Sequence, residues 1–541
     1  MALTATKQKL SSLLLLILFL SSCSNNPYKI EDLKGSTAFK AYSTELKYVD
    51  PVKSYYAYEA AVIDQVYEFL FQYDYLKRPY ELIPCLAEAV PRPVEKENGI
   101  SYTIKIKKGV FYAPHECFSF NKIKQAHTRE LKIRDFIYAF KRIGDPKLCC
   151  PVFPVFVSKI AGLDLFYKYN QEHPDKPTDY TRPVSGLIAH DDYTLEILLK
   201  EKYPQILYWL AMHFTSPMPE EAVNYYKEQA FKNKSAPDTV SAPFYIPRPI
   251  GTGPYMLTSW KPRQEIILAK NPLFRDEYYP VEGMPGDREE GNLVDSGQKL
   301  PLIDKVIYKY TPESISAWSK FMQGYLDASG IGKEQFDKVI TSDKGLSPKM
   351  AQKGIRLKTA VGSDIFYYGF NMLDPVVGGY TDEKKYLRRA IAKALDVNQY
   401  KKIFRNNRGI IPNGPVPPGI FGYESNIRTY NNFDLAGAKL LLEKAGYKDG
   451  LDPKTGQPLE IVYDNALTSG SASASRPHLQ FFKEQIEKLG LRLKIASTDL
   501  NTYRKKILDG NYQIFESGWL LDYPDPENFL FLLYGPNGTV K

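Results

Sequence analysis

Six histidines and five cysteines are the side chains on which nucleophilic or metal chemistry would have to be built. The histidines, His115, His127, His173, His190, His213 and His478, stand in no H-E-x-x-H pair, and the chain holds no G-x-S-x-G elbow and no G-x-x-x-x-G-K-[ST] loop. Gly251-Thr252-Gly253 resembles the start of a phosphate loop, but Pro254 follows, and proline offers no amide hydrogen to an anion. It reads as a turn before a strand. A Ser/His/Asp triad assembled by folding stays open, because triads are defined by geometry and not by order in the chain. No catalytic residue, metal or cofactor is assigned.

Cys85, Cys117, Cys149 and Cys150 fall in one stretch, so disulfides among them would staple one region only. Three pairings are possible. A bridge between the adjacent Cys149 and Cys150 would be strained, which favours bonds from these two to Cys85 and Cys117. Zinc is the alternative, but no C-x-x-C spacing supports it.

The fifth cysteine has a different setting. Cys23 ends Leu20-Ser21-Ser22-Cys23, behind Lys7, Lys9 and the apolar run from Leu13 to Leu20. That run is too short to span a bilayer and suits the apolar core of an export signal. The segment resembles a bacterial lipoprotein signal, in which cleavage before the cysteine leaves it lipidated as the new amino terminus. Residues 1–22 are then the signal peptide, and Cys23 is the anchor on the periplasmic or cell-surface side of a bacterial membrane. Enzymes that need cytosolic ATP or NADH are excluded by that location.

The remaining 519 residues are more than one core usually spans, so about three domains are expected. The formal charge of +9 falls to +7 without Lys7 and Lys9, and it is spread along the chain, so no nucleic-acid surface is read into it. Forty-one tyrosines are the compositional outlier. Rigid rings with a polar tip suit a cleft whose ligand varies.

Periodicity places several helices. Ile133, Phe136, Ile137 and Phe140 repeat at helical spacing, as do Leu387, Ala390, Ile391, Ala394 and Leu395. Leu435, Ala438, Leu442 and Ala445 form a third stripe that stops at Gly446. Leu479, Phe482, Ile486 and Leu489 form a fourth, which ends at Gly490 and runs into the alternating strand Leu491, Leu493, Ile495. Helix followed by strand over short links predicts an α/β fold with partly parallel sheets. Gly283 to Gly297, rich in Gly, Asp and Glu, predicts an exposed loop.

A series of short motifs then resembles one family, the extracellular solute-binding proteins of peptide-type ABC importers, typified by oligopeptide- and dipeptide-binding proteins. Asp50-Pro51, Val66-Tyr67-Glu68-Phe69-Leu70 with Tyr73-Asp74, and Pro84-Cys85-Leu86-Ala87-Glu88 are similar to its early motifs. Tyr102 to Val110 and Asp135 to Arg142 follow in the family's order. Gly251 to Tyr255 with Trp260 and Asn271-Pro272, Phe370-Asn371 with Leu387 to Ile391, and Gly518-Trp519 with Asp522 to Phe529 complete it.

The resemblance implies a two-lobe periplasmic-binding-protein fold with a third small domain inserted in the first lobe. The first lobe takes residues 23–65 and 188–308, the small domain 66–187, and the second lobe 309–541. Family members continue past the Asp522–Phe529 run with a segment that returns to the first lobe, so a truncated carboxyl terminus and unpaired first-lobe sheet edges are expected. The resemblance further implies a monomer that captures a peptide between its lobes and delivers it to an ABC permease. Asp522 would meet the peptide's ammonium, Gly518 and Leu520 would offer backbone groups, and Trp519 would form a pocket wall. Read without the resemblance, Asp522 is a loop carboxylate capping amides in a Pro-rich turn, and Trp519 a core residue. Two departures stand out. Leu500 replaces a cleft tryptophan, and Glu516 aligns with an arginine that lies near the ligand's carboxylate in some oligopeptide binders; an acid there argues against a short peptide held at both ends. A non-peptide solute, such as a nickel complex, a haem or an oligosaccharide, is the alternative within the fold. A surface-anchored hydrolase and an adhesive lipoprotein are the alternatives outside it.

Overall fold

The computed structural model describes residues 28–33, 35–232, 245–427, 429, 432–467 and 472–538. The signal segment and Cys23 lie outside them. Three four-stranded sheets organise the rest.

The first sheet orders strands Thr37–Tyr42, Lys305–Tyr310, Glu265–Lys270 and Tyr255–Lys261, the first two parallel and the others antiparallel. Its core packs Ile266, Leu268 and Val306 against Val62, Ile63 and Val66 of helix Ala57–Val66. The chain stays with this sheet beyond residue 309, where the second lobe was expected to begin. Asp327 covers the outer edge of the first strand: its carboxylate accepts from the Phe39 amide at 2.6 Å, and its own amide donates to the Phe39 carbonyl at 3.0 Å. That edge is therefore partly closed, where open edges were expected.

The second sheet is antiparallel, in the order Val94–Lys96, Gly99–Lys105, Thr194–Leu199, Leu187–Asp191. Pairing of Tyr102 with Ile197 carries this unit to Leu199, past the expected limit at residue 187. Helix Ile133–Ile143 lies on it. Ile133, Phe136 and Phe140 are fully buried, each contributing about 1.5–3 kcal/mol of apolar burial, and Asp135 caps the first turn by accepting from the Lys132 amide at 3.0 Å. Cys85, Cys117, Cys149 and Cys150 are all free thiols. None of the favoured bridges is formed: Cys85 lies beside Glu68 at 3.7 Å, Cys149 donates to the Pro146 carbonyl at 3.3 Å, and Cys150 sits in the core. Burial pushes the thiols of Cys85, Cys117 and Cys150 up to about 12, which keeps them protonated and unreactive at neutral pH.

The third sheet orders strands Asp364–Phe370, Ile514–Leu520, Glu460–Leu467 and Arg492–Asp499. The first pair is antiparallel and the remaining contacts are parallel. Helices Asp382–Lys393, Leu435–Lys444 and Ala472–Glu487 cover one face with the stripes the periodicity predicts, among them Leu387, Ala390, Leu442, Phe482 and Ile486. Asp434 caps the second of these helices, accepting from the Gly437 amide at 2.8 Å, and Gly446 ends it at φ +90°. The mixed α/β prediction holds, and the 283–297 loop is largely exposed turn. Among the described residues no helix is long and apolar enough to cross a membrane.

Candidate functional site

Strand Glu460–Leu467 lies between the two strands that follow it in sequence. The connections to them, through helices Ala472–Glu487 and Leu500–Leu508, therefore diverge at the carboxyl ends of the parallel strands. Such a divergence opens a crevice, the general place for a ligand in open α/β sheets. Asp499 starts the second helix, accepting from the amides of Asn501 and Thr502 at 3.0 and 3.1 Å, and the half-buried Leu500 is its first residue.

Strand Ile514–Leu520 borders this crevice with one edge only half used. It pairs along its full length with Asp364–Phe370, Gly518 facing Phe366 and Leu520 facing Asp364. On the other side it meets strand Glu460–Leu467 only at Ile514 and Phe515. From Glu516 to Leu520 that second edge has no strand partner among the described residues. A Cβ on Gly518 would come within 2.5 Å of the Phe366 ring, so glycine keeps this backbone bare and close to its neighbour.

Beyond the strand, Asp522 begins a turn through Pro524 and Pro526. Asn528, almost fully buried, organises it: Oδ1 accepts from the Asp522 amide at 3.0 Å and from Trp519 Nε1 at 3.1 Å, while Nδ2 donates to Asp522 Oδ2 at 3.2 Å. Tyr55 approaches from the far end of the sequence and donates its hydroxyl to the same Oδ2 at 3.3 Å. Neither oxygen of Asp522 has an ion pair among the described residues. Burial pushes its carboxyl above the ordinary range, and the hydrogen bonds from Asn528 and Tyr55, with the nearby His213, pull it part of the way back.

Asp522 lines a cleft of ≈ 420 Å³ with Leu520, Leu521, Tyr523, Tyr73, Tyr80, Ser363 and Asp364. That volume suits a small ligand or one end of a longer one. Of the four residues predicted for ligand contact, the structure brings Asp522 and Leu520 to this cleft. Gly518 lies two residues up the strand. Trp519 points to the opposite sheet face, its ring 6.4 Å from Tyr55 and 5.1 Å from Phe531, and its indole hydrogen goes to Asn528. Sequence reading did not assign Tyr55, Tyr73, Tyr80, Asp364 or Asn528 to the site. Tyr73 and Asn528 fall inside the quoted motifs, which were the only signal available for them.

Glu516 lies four residues before Leu520, roughly 13 Å along an extended strand. Its Oε2 accepts from the Tyr463 hydroxyl at 2.6 Å, and its backbone carbonyl accepts from Tyr503 at 2.6 Å.

One arrangement has the residue types of a nucleophilic triad. His213 Nδ1 is 3.4 Å from Asp64, but Nε2 is engaged at 2.6 Å by the Ser54 carbonyl and not by its hydroxyl, and Ser54 is fully buried. No nucleophile is presented to a substrate there. Among the described residues no group of three or more His, Cys, Asp or Glu side chains is placed to hold a metal.

Residues 81–541 match the family model described as "Bacterial extracellular solute-binding proteins, family 5 Middle". The chain is similar to the dipeptide-binding protein of Escherichia coli K12, 23% identical over 465 residues that cover 84% of this chain and 70% of the relative. It is also similar to heme-binding protein A of Haemophilus influenzae, 23% identical over 476 residues, 87% of this chain and 72% of that one. Among solved structures, the ABC transporter-associated periplasmic binding protein DppA from Helicobacter pylori, in complex with the peptide STSA, superposes with a TM-score of 0.61 at 20% identity, covering 93% of this chain and 82% of that one.

Proposed function

The chain belongs to the bacterial extracellular solute-binding proteins, family 5, and from that membership we propose that it captures peptides between two lobes and delivers them to an ABC permease. The observation that carries this reading is the adjacency of a strand edge without a strand partner, Glu516 to Leu520, and a half-buried carboxylate without a counter-ion, Asp522. An extended peptide adds to such an edge through its main chain, which every peptide possesses, and its amino-terminal ammonium supplies the charge that Asp522 lacks. Gly518 and Leu520 offer the backbone groups; Trp519 steadies the Asp522 turn through Asn528. A relative named for dipeptides and a fold neighbour holding STSA support the same ligand class.

The protein works as a monomer of three domains and performs no chemistry on its ligand. The first lobe, carrying the inserted small domain, faces a second lobe built on the sheet with strand Ile514–Leu520. Lipid on Cys23 holds it to the membrane beside its permease. A haem-like ligand is the second reading, favoured by the relative named for heme binding. The cleft speaks against it, since Asp364 and Asp522 would repel the carboxylates of such a macrocycle.

The test combines one substitution with one ligand change. Asp522→Asn keeps the size and removes the charge, so it should cost about 2 to 5 kcal/mol, a loss of tens- to thousands-fold in affinity for free peptides. N-acetylation of the peptide should weaken binding to the unaltered protein by a similar factor and matter far less to Asp522→Asn, because both changes delete one contact. Titration calorimetry showing that the two losses simply add would refute the assignment.

A further inference from the structure

The cleft is unevenly charged. Its lining contains two carboxylates, Asp522 and Asp364, and no lysine, arginine or histidine. Asp364 is exposed, and its side chain has neither an ion pair nor a hydrogen bond among the described residues. The two cations of the segment between Tyr73 and Tyr80 are already engaged: Lys77 pairs with Glu81 at 2.9 Å, and Arg78 stacks on the Tyr80 ring at 4.3 Å while donating to the Lys77 carbonyl. A second observation comes from the opposite wall. The Tyr73 hydroxyl is buried in the lining, yet it has no hydrogen-bond partner, a state that polar groups in folded proteins seldom keep. Tyr73 therefore stands in the cleft lining with a hydroxyl that no group among the described residues satisfies.

We propose that this cleft selects peptides carrying a second positive charge near the amino terminus, with the ammonium on Asp522 and Tyr73 and a lysine or arginine side chain of the first or second residue on Asp364. The inference rests on the peptide-capture reading and adds a ligand class to it. An ammonium has three hydrogens to place, and the Asp522 carboxylate with the Tyr73 oxygen takes two of them. Asp364 stands opposite Leu520 in the strand register and lines the same cleft, on the far side of strand Ile514–Leu520 from its unpaired edge, so a long basic side chain next to the anchored end would extend over that strand toward it. The aromatic faces of Tyr73 and Tyr80, packed edge to face at 6.0 Å, provide a surface for the methylenes of such a side chain.

The experiment compares Lys-Ala-Ala-Ala with norleucine-Ala-Ala-Ala, which keeps the side-chain length and the free amino terminus but lacks the second charge. Titration calorimetry at low salt should show the lysine peptide binding about two- to fivefold more tightly, a margin set by the exposure of Asp364. Asp364→Asn should bring the ratio to about one by weakening the lysine peptide alone, and Asp364→Glu should restore it. Tyr73→Phe should weaken both peptides by the same few-fold factor; unchanged affinities would remove Tyr73 from the site. Equal binding of the two peptides by the unaltered protein, or a ratio that survives Asp364→Asn, overturns the inference while leaving peptide capture intact. Binding of neither peptide overturns both.

Discussion

On the proposed reading, Asp522 joins a cost in the empty protein to a gain in the loaded one. Its folded carboxyl lies above the ordinary range, so the unfolded chain releases the proton first as pH rises. Stability of the unliganded protein therefore falls as pH climbs from the unfolded carboxyl value through the raised folded one, and stays at the lower level at neutral pH. Asp522→Asn removes that penalty. The unliganded variant should melt at the same or a higher temperature than the parent at pH 7, with the difference vanishing in acid, while its affinity for free peptides collapses. Calorimetric melts at pH 4 and 7 check this; a variant less stable at pH 7 would mean that Asp522 serves the turn more than the ligand. The hydrogen bonds from Asn528 and Tyr55 were not legible in sequence, because Tyr55 reaches Asp522 across 467 positions of chain. Position 522 was assigned only through the motif around it.

Among the elements, the helices were the most legible, and the reason is physical. Stripes such as Leu387, Ala390 and Ile391 repeat at 3.6 residues because they must bury one face on a sheet, and the structure buries those residues. Strand pairing carries no such signature. That Ile514–Leu520 pairs fully on one side and for only two residues on the other depends on where a second strand diverges, and no local pattern records that. The pairing of Tyr102 with Ile197, across a long excursion of chain, left no local pattern either. The open edge makes its own prediction. If the peptide adds as a strand, methylating single amides of a bound tetrapeptide should cost about 1 kcal/mol at alternate positions, roughly fivefold in affinity, and little at those between. Leu520→Ala, which changes a side chain and leaves the main chain intact, should shift affinity by less than about threefold. A flat response to methylation would show that the ligand is held by its side chains.

At the scale of the whole molecule, contacts of the turn after Leu520 tie the third sheet to the part of the chain that precedes residue 250. Tyr523 stacks on Tyr208 at 5.6 Å and enters the core around Trp209, Tyr203 donates to Glu527 at 3.2 Å, and Gln205 donates to Asp525 at 3.3 Å. Arg504, on the helix just before strand Ile514–Leu520, places its guanidinium 4.0 Å from the Tyr56 ring, beside the Tyr55 that holds Asp522. These contacts neighbour the proposed ligand site, so on the proposed reading closure of the lobes on a peptide acts on both. Saturating peptide should compact the protein in solution scattering and stabilise it by about 2.7 kcal/mol at a hundredfold excess over Kd. Arg504 touches the facing ring and not the cleft lining, so Arg504→Ala should leave the association rate unchanged and speed dissociation by about two- to fivefold, the size of an exposed cation–π contact. Stopped-flow measurement separates the two rates. An unchanged dissociation rate would mean that the Tyr56 contact persists when the lobes part, and that closure is held by the Asp522 to Glu527 turn and the ligand alone.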